Sequence, residues 1–287
     1  MKPAPFEYRR AESIEHACAV LADAGDDARV LAGGQSLIPM MNLRLARPSM
    51  LVDIGRLALG SVSVSGQEIR VGALVRHRQL LEDVALRNVA PVFAEAARFI
   101  AHPTIRNFGT AGGSVAHADP TAEIPSLLML FDGKVEAASN KGTRTISANA
   151  LFKGAFSTSL APTEMIVALR FRLPAAAWGG CFLELAERDG DFAIASVCAV
   201  VERKGETITG ARVVLGGADS VPVRPEIGAA LNGRVMTEAA ARDVSRAVAE
   251  AQKSYDDIRA SAAYRRHLLA ELVQRALLTA YARAEKR

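Results

Sequence analysis

The chain has 287 residues, half of them hydrophobic and 23% charged, with a formal net charge of +4. That length allows one large domain or two of ordinary size around a true core, and an aromatic content of only 5% leaves the packing to Ala, Val, Leu and Ile. Lys and Arg are interleaved with Asp and Glu rather than gathered into a stripe, so a phosphate-backbone surface and a nucleic-acid partner are not expected.

The N-terminus is interrupted by Lys2, Pro3 and Pro5 and does not read as a secretory signal. Ser13 opens a helical pattern, with Ile14, Ala17, Cys18 and Leu21 on one face and Gly25 to end it. A short strand over 28–31 runs into the glycine turn Ala32-Gly33-Gly34-Gln35-Ser36. A second strand is expected at 50–54 and a hairpin at 62–64 and 68–71. Pro91 starts a helix that runs to Ile100 and stops at His102-Pro103. Residues 105–114 are glycine-rich and neither helical nor alternating. A helix over 123–130 and strands near 134–138, 143–146 and 164–171 follow. Pro174 and Ala175–Ala177 mark a junction, after which three strands (182–186, 195–201, 207–215) precede two helices (237–250, 262–284), an α+β order. The apolar run 124–131 is the longest and falls far short of the roughly 20 residues of a membrane span.

The cysteines Cys18, Cys181 and Cys198 show no C-x-x-C spacing. They suit reduced, buried thiols of a cytoplasmic protein better than a disulfide framework, a zinc site or an iron–sulfur site. The chemistry-bearing signals are two turns of one design. Ala32–Ser36 and Thr110-Ala111-Gly112-Gly113-Ser114 each place two glycines before a hydroxyl residue. Glycines free the backbone to turn several N–H groups into one concavity, which suits phosphate. Neither a G-x-x-x-x-G-K-[ST] nor a G-x-G-x-x-G motif occurs, which leaves out P-loop and Rossmann routes to a nucleotide. Gly179-Gly180 and Gly216-Gly217 read as plain turns.

These two turns resemble the paired pyrophosphate motifs of the FAD-binding medium subunit of aerobic carbon monoxide dehydrogenase, a module shared with xanthine dehydrogenase and other molybdenum hydroxylases. The flanking strings Leu37–Ala46, Leu51–Ile54, His102–Asn107 and Ala116–Pro120 resemble the family too. The resemblance implies an α+β fold: a PCMH-type, vanillyl-alcohol-oxidase-like FAD domain over 1–175 (subdomains about 1–57 and 58–175) and a C-terminal α+β domain over 178–287. It implies FAD-binding positions at Val30, Leu31, Ala32, Gly33, Gly34, Gln35, Ser36 and Leu37. The second set is Ala101, His102, Ile105, Gly109, Thr110, Gly112, Gly113, Ser114, His117 and Glu123, with Ile166 and Phe192 as apolar walls for flavin or adenine. The glycine turns are expected to meet the pyrophosphate through backbone N–H groups. Glu123 stands where relatives have Asp, keeping the charge on a longer arm. Gln35 replaces a common histidine and points to hydrogen bonding or packing. Leu183 or Glu184 stands where relatives often carry a lysine, which puts a flavin contact there in doubt.

Blander readings sit beside these. His102 and His117 suit loop or capping histidines, Asp119 suits the turn before Pro120, and Arg106 suits a phosphate or a carboxylate of its own loop. Arg265, Arg266 and Arg275 suit a solvated helix face. No catalytic residue and no metal ligand is expected in this chain. The function implied is electron transfer: [2Fe–2S] clusters on a small iron–sulfur subunit pass electrons from a large molybdopterin subunit through FAD to an external acceptor, in a dimer of heterotrimers. The alternatives are a stand-alone FAD-dependent oxidase of a small alcohol or amine, and a flavin-binding module without turnover.

Overall fold

The computed structural model describes residues 2–284; Met1 and residues 285–287, the outermost ends of the two expected domains, lie outside the described residues. Strands β1 (Glu7–Arg10), β2 (Ala28–Leu31) and β3 (Met50–Asp53) form a parallel sheet in the order β1-β3-β2, with helix α1 (Ile14–Ala24) crossing over between β1 and β2 and α2 (Leu37–Asn42) following the first glycine turn. Ser13 caps α1 by accepting from the His16 N–H, and Gly25 closes it with φ of 61°. The face Ala17, Cys18 and Leu21 is buried against Val52 and Ile54 of its own sheet and Ala138, Met165 and Val167 of the next, so one helix joins two sheets. The sequence reading misses β1 because its residues, Glu-Tyr-Arg-Arg, are all exposed and carry no apolar alternation.

The second sheet has the order β4-β5-β10-β6-β7, built from β4 (Val62–Ser65), β5 (Glu68–Gly72), β6 (Lys134–Ser139), β7 (Gly142–Ser147) and β10 (Met165–Arg172), all antiparallel, with a small hairpin of β8 (Phe152–Gly154) and β9 (Ser157–Thr158) beside it. Between β5 and β6 lie α3 (His77–Glu82), α4 (Val84–Val89), α5 (Val92–Phe99), α6 (Pro103–Arg106), α7 (Ala111–His117) and α8 (Glu123–Leu130); α9 (Ala148–Leu151) follows β7. The region expected to be irregular around 105–114 therefore holds two short helices. Pro103 starts α6, and Thr110 caps α7 by accepting from the Gly113 N–H at 3.1 Å. Glycine is a poor helix former, but a Cβ on Gly112 would lie 2.7 Å from the Ala73 Cβ, so close packing outweighs propensity.

The third sheet is the antiparallel meander β11 (Trp178–Ala186), β12 (Ala193–Lys204) and β13 (Thr207–Gly216), followed by α10 (Gly228–Leu231), α11 (Glu238–Glu250) and α12 (Ala262–Ala284). One face packs on α5 and α8 through Trp178, Phe182, Cys198, Val200 and Val214, and the other on α11 and α12. Burial on both faces explains why β12 is buried without alternation from Ala193 to Val201. Gly179 and Gly180 are not turn residues but lie inside β11. A Cβ on Gly179 would overlap the Ala280 carbonyl of α12, and one on Gly180 would press on Val92 of α5, so the pair lets helices sit flush on both faces. Gly216 ends β13 and Gly217 turns with φ of 69°. Arg265, expected on a solvated face, is 1% exposed and holds the Ile194 and Gly217 carbonyls and the Asp257 carboxylate.

Candidate cofactor cleft

The first glycine turn, where β2 meets α2, and the α6–α7 segment pack directly on one another. A Cβ on Gly33 would overlap the Phe108 carbonyl oxygen and stand 3.0 Å from the Gly109 Cα, so only glycine permits the approach. The junction opens into a cleft of about 640 Å3, within the range of small-molecule sites. All of the residues expected to bind FAD line it except Leu31 and His102. Leu31 lies behind the turn, with its Cδ1 3.3 Å from where a Gly34 Cβ would stand. His102 caps α6 and packs under Gly190. The cleft also takes its walls from His77, Thr121, Phe156, Leu160, Met165 and Asp191, which belong to no motif and are gathered there by the fold alone.

The two turns differ in what their backbones offer. Among the described residues, none accepts a hydrogen bond from the N–H of Gly33, Gly34, Gln35, Ser36 or Leu37. Gly34 adopts φ of 72°, and the Gln35 amide donates to the Gly33 carbonyl, which ties the loop without using those N–H groups. In the second turn the N–H groups are committed: Ala111 to Val75, Gly112 to Ala73, Ser114 to Thr110 and Gly113 to the Thr110 hydroxyl. Gly112 packs against Ala73, and Thr110, Gly112, Gly113 and Ser114 all line the cleft. Of the two turns expected to offer backbone N–H groups, the first leaves them without protein partners and the second does not.

Desolvation governs the titratable groups. Burial raises the Glu123 carboxyl to about 8, opposed by its backbone hydrogen bond and helped by Asp119. Burial raises Glu184 of β11 to about 9, with the Glu123 charge adding to it, and its Oε2 has no partner. Burial thus favours the neutral form of Glu123, which both donates and accepts. His77 is lowered to about 4 by burial, against the Thr110 backbone and with Arg106 and Arg76 adding to the fall. His117 is lowered by burial, opposed by Asp119. Asp119 holds its turn as expected, its Oδ1 accepting from the Thr121 N–H and hydroxyl at 2.9 and 2.7 Å. Arg106 donates from Nη1 to the backbone carbonyls of Arg98, Ile100 and Ala101.

The lining offers the unpaired amides of Gly33 to Leu37, the apolar side chains of Ile105, Ile166 and Phe192 and the Glu123 carboxyl, a set that would suit a long cofactor with phosphate, ring and polyol parts. Fold and site define an α+β protein with a glycine-walled cleft where a small parallel sheet meets a larger antiparallel one. Residues 4–175 match the FAD binding domain in molybdopterin dehydrogenase, and residues 181–280 match the CO dehydrogenase flavoprotein C-terminal domain. The chain is 40% identical to the 6-hydroxypseudooxynicotine dehydrogenase complex subunit alpha of Paenarthrobacter nicotinovorans, over 99% of this chain and 97% of that one. It is 38% identical to the nicotine 6-hydroxylase medium subunit of the same organism, over 99% and 100%. Among solved structures, carbon monoxide dehydrogenase from Hydrogenophaga pseudoflava superposes with a TM-score of 0.94 at 34% identity, over 99% of each chain. Quinoline 2-oxidoreductase from Pseudomonas putida 86 gives the same values. The chain belongs to the family of FAD-binding medium subunits of molybdenum-containing dehydrogenases and hydroxylases. Among the described residues no helix is long and apolar enough to cross a membrane, and no cluster of His, Cys, Asp or Glu could hold a metal ion.

Proposed function

We propose that this chain holds FAD in the cleft and relays electrons from [2Fe–2S] clusters of a small partner subunit to an external acceptor, while a large molybdopterin subunit oxidises the substrate. In this reading residues 1–175 hold the cofactor, 178–287 form the C-terminal domain, and the assembly is a dimer of heterotrimers. The observation that carries it is the run of unpaired N–H groups from Gly33 to Leu37 on the wall of a long cleft, in a chain of this family. Bound there, FAD supplies two-electron and one-electron redox chemistry. The chain's own part is to cradle the pyrophosphate on the 33–37 amides, aided by the Thr110 and Ser114 hydroxyls. Glu123, held protonated, can donate to or accept from a sugar or ribityl hydroxyl without setting a negative charge beside the phosphates. Ile105, Ile166 and Phe192 keep water from the rings.

Substrate choice is placed outside this chain. Relatives of comparable identity belong to complexes named for nicotine, carbon monoxide and glyceraldehyde, so one medium-subunit scaffold serves unrelated substrates.

The test is to purify the chain with whatever co-purifies. Flavin bands near roughly 370 and 450 nm, together with iron, molybdenum and two further polypeptides, are expected. A yellow chain that alone turns over a small alcohol or amine would establish the oxidase instead. A preparation that takes up no FAD would sink the reading of the cleft.

A further inference from the structure

Three residues join α5 to α6, and the middle one is strained. Ile100 is extended, Ala101 takes the left-handed φ of 42°, and His102 is extended again before Pro103. A helix that ends on a left-handed residue usually places glycine there, because a Cβ in that conformation costs energy. Here the residue is alanine, and it lines the cleft. Strain of this kind persists only where the surrounding structure holds it.

Arg106 supplies that hold. From the end of α6 its side chain turns back, and Nη1 donates to the carbonyls of Ala101 at 2.6 Å, Ile100 at 2.9 Å and Arg98 at 3.2 Å. Carbonyls at the end of a helix lack helical partners, and a cation beside them is favoured. The tip of the β11–β12 hairpin rests on the same turn. Gly190 adopts φ of 77°, and a Cβ on it would stand 2.8 Å from the carbonyl carbon and oxygen of Ala101 and 3.0 Å from Nδ1 of His102. Gly190, Asp191 and Phe192 line the cleft as well. One carbonyl, that of Ala101, is therefore held by Arg106 and covered by a hairpin of the C-terminal unit.

We infer that Arg106 is a positioning residue of the cofactor cleft: by holding Ala101 left-handed it fixes the wall from Ala101 to Ile105 and gives the Gly190 hairpin its seat. Arg106 acts through the turn, so that the N-terminal and C-terminal units meet at the cleft in one arrangement. That the guest is FAD rests on the function proposed above, whereas the clamp itself does not.

The test uses the full chain with its co-purifying subunits, freed of flavin. Amide hydrogen exchange is followed by mass spectrometry without FAD, and FAD affinity is then titrated by flavin fluorescence. Arg106→Met keeps an unbranched apolar stem and removes the donor. Exchange in 99–106 and 188–192 is expected to rise about tenfold and FAD affinity to fall about tenfold, the worth of one left-handed residue other than glycine. Adding Ala101→Gly to Arg106→Met should recover most of both losses, since glycine takes that conformation without a clamp. Ala101→Gly alone gives the reference for what the methyl group itself contributes. Gly190→Ala, with Arg106 intact, presses on the same carbonyl and should raise exchange in 99–106; it decides the matter should Arg106→Met fail to fold. A loss in Arg106→Met that Ala101→Gly leaves in place assigns Arg106 to charge rather than to the turn, and overturns the proposal. Exchange in 188–192 that Arg106→Met leaves unchanged overturns it too. A parent that takes up no FAD defeats the cofactor reading alone, and the exchange of the two segments still supports or overturns the clamp.

Discussion

Gly33 shows how one missing methyl group organises the site. Its hydrogen occupies the space where any Cβ would strike the Phe108 carbonyl, and across that contact the two motifs meet. Gly33→Ala should cost about 1–3 kcal/mol of stability, the usual penalty for an added methyl in a tight contact, and should abolish FAD uptake. Urea unfolding and flavin fluorescence of the variant check this. Glu123 and Glu184 form a buried acidic pair that couples stability to pH. Their carboxyls stand near 8 and 9 against an ordinary 4.5, so the folded state holds its protons more tightly than the unfolded chain. The stability they contribute is complete below the ordinary carboxyl range and is lost as pH rises through 8 to 9, by up to about 1.4 kcal/mol per pH unit for each proton. Glu184→Gln should flatten this fall and raise the melting temperature at pH 9 while changing little at pH 5. Thermal melts of parent and variant across that range, without FAD, decide it; parallel curves would refute the pair's role.

At the scale of elements, the third sheet depends on small residues where helices cross it. Gly179 lies under α12, with the Ala280 carbonyl where its Cβ would be. Gly179→Ala should lift α12 and cost about 1–3 kcal/mol or more, whereas Gly60→Ala, in a position open to solvent, should cost under about 0.5 kcal/mol. Denaturant midpoints of the two variants give the comparison. Helix α7 depends on its cap rather than on its composition. Thr110→Val removes the acceptor of the Gly113 N–H and should destabilise by about 1 kcal/mol. It should also weaken FAD binding by removing a cleft hydroxyl, which titration of the variant would show. Arg265 carries a comparable role in the C-terminal unit, tying the β12 and β13 ends to the loop before α12 through Ile194, Gly217 and Asp257.

Across the whole molecule, three sheets share two helical layers. Helix α1 bridges the parallel sheet to the second sheet, and α5 with α8 bridges the second sheet to the third. The cleft lies where these units meet, so its walls come from several separate segments between Ala28 and Phe192. A ligand held by so many elements should stabilise them together. FAD at a hundred times its dissociation constant should add about 2.7 kcal/mol and raise the melting temperature in one cooperative transition. Calorimetric scans at increasing FAD check this; a shift confined to one of two resolved transitions would show that only part of the chain grips the cofactor.

The sequence by itself determined the elements whose signal is local. The Ser13 cap, the Ile14–Leu21 face and Gly25 specify α1, and alternation or apolar runs specify most strands, because caps and periodicity act within a few residues. It also determined the family, since the strings around both glycine turns are long enough to be recognised, and with it the part of the cleft lining that those two turns supply. Only the tertiary structure decided what each glycine does. Gly179 and Gly180 look like a turn in isolation, and their place inside β11 follows from helices packed on both faces. The second Gly-Gly pair looks like a phosphate cradle, yet the amides of Ala111 and Gly112 are consumed by Val75 and Ala73, residues that only folding brings near, and those of Gly113 and Ser114 by the local cap Thr110. The charge of Glu123, the burial of Arg265 and the presence of His77 and Phe156 at the cleft were likewise invisible in the sequence. Each follows from desolvation and proximity between distant segments, which no local pattern of residues encodes.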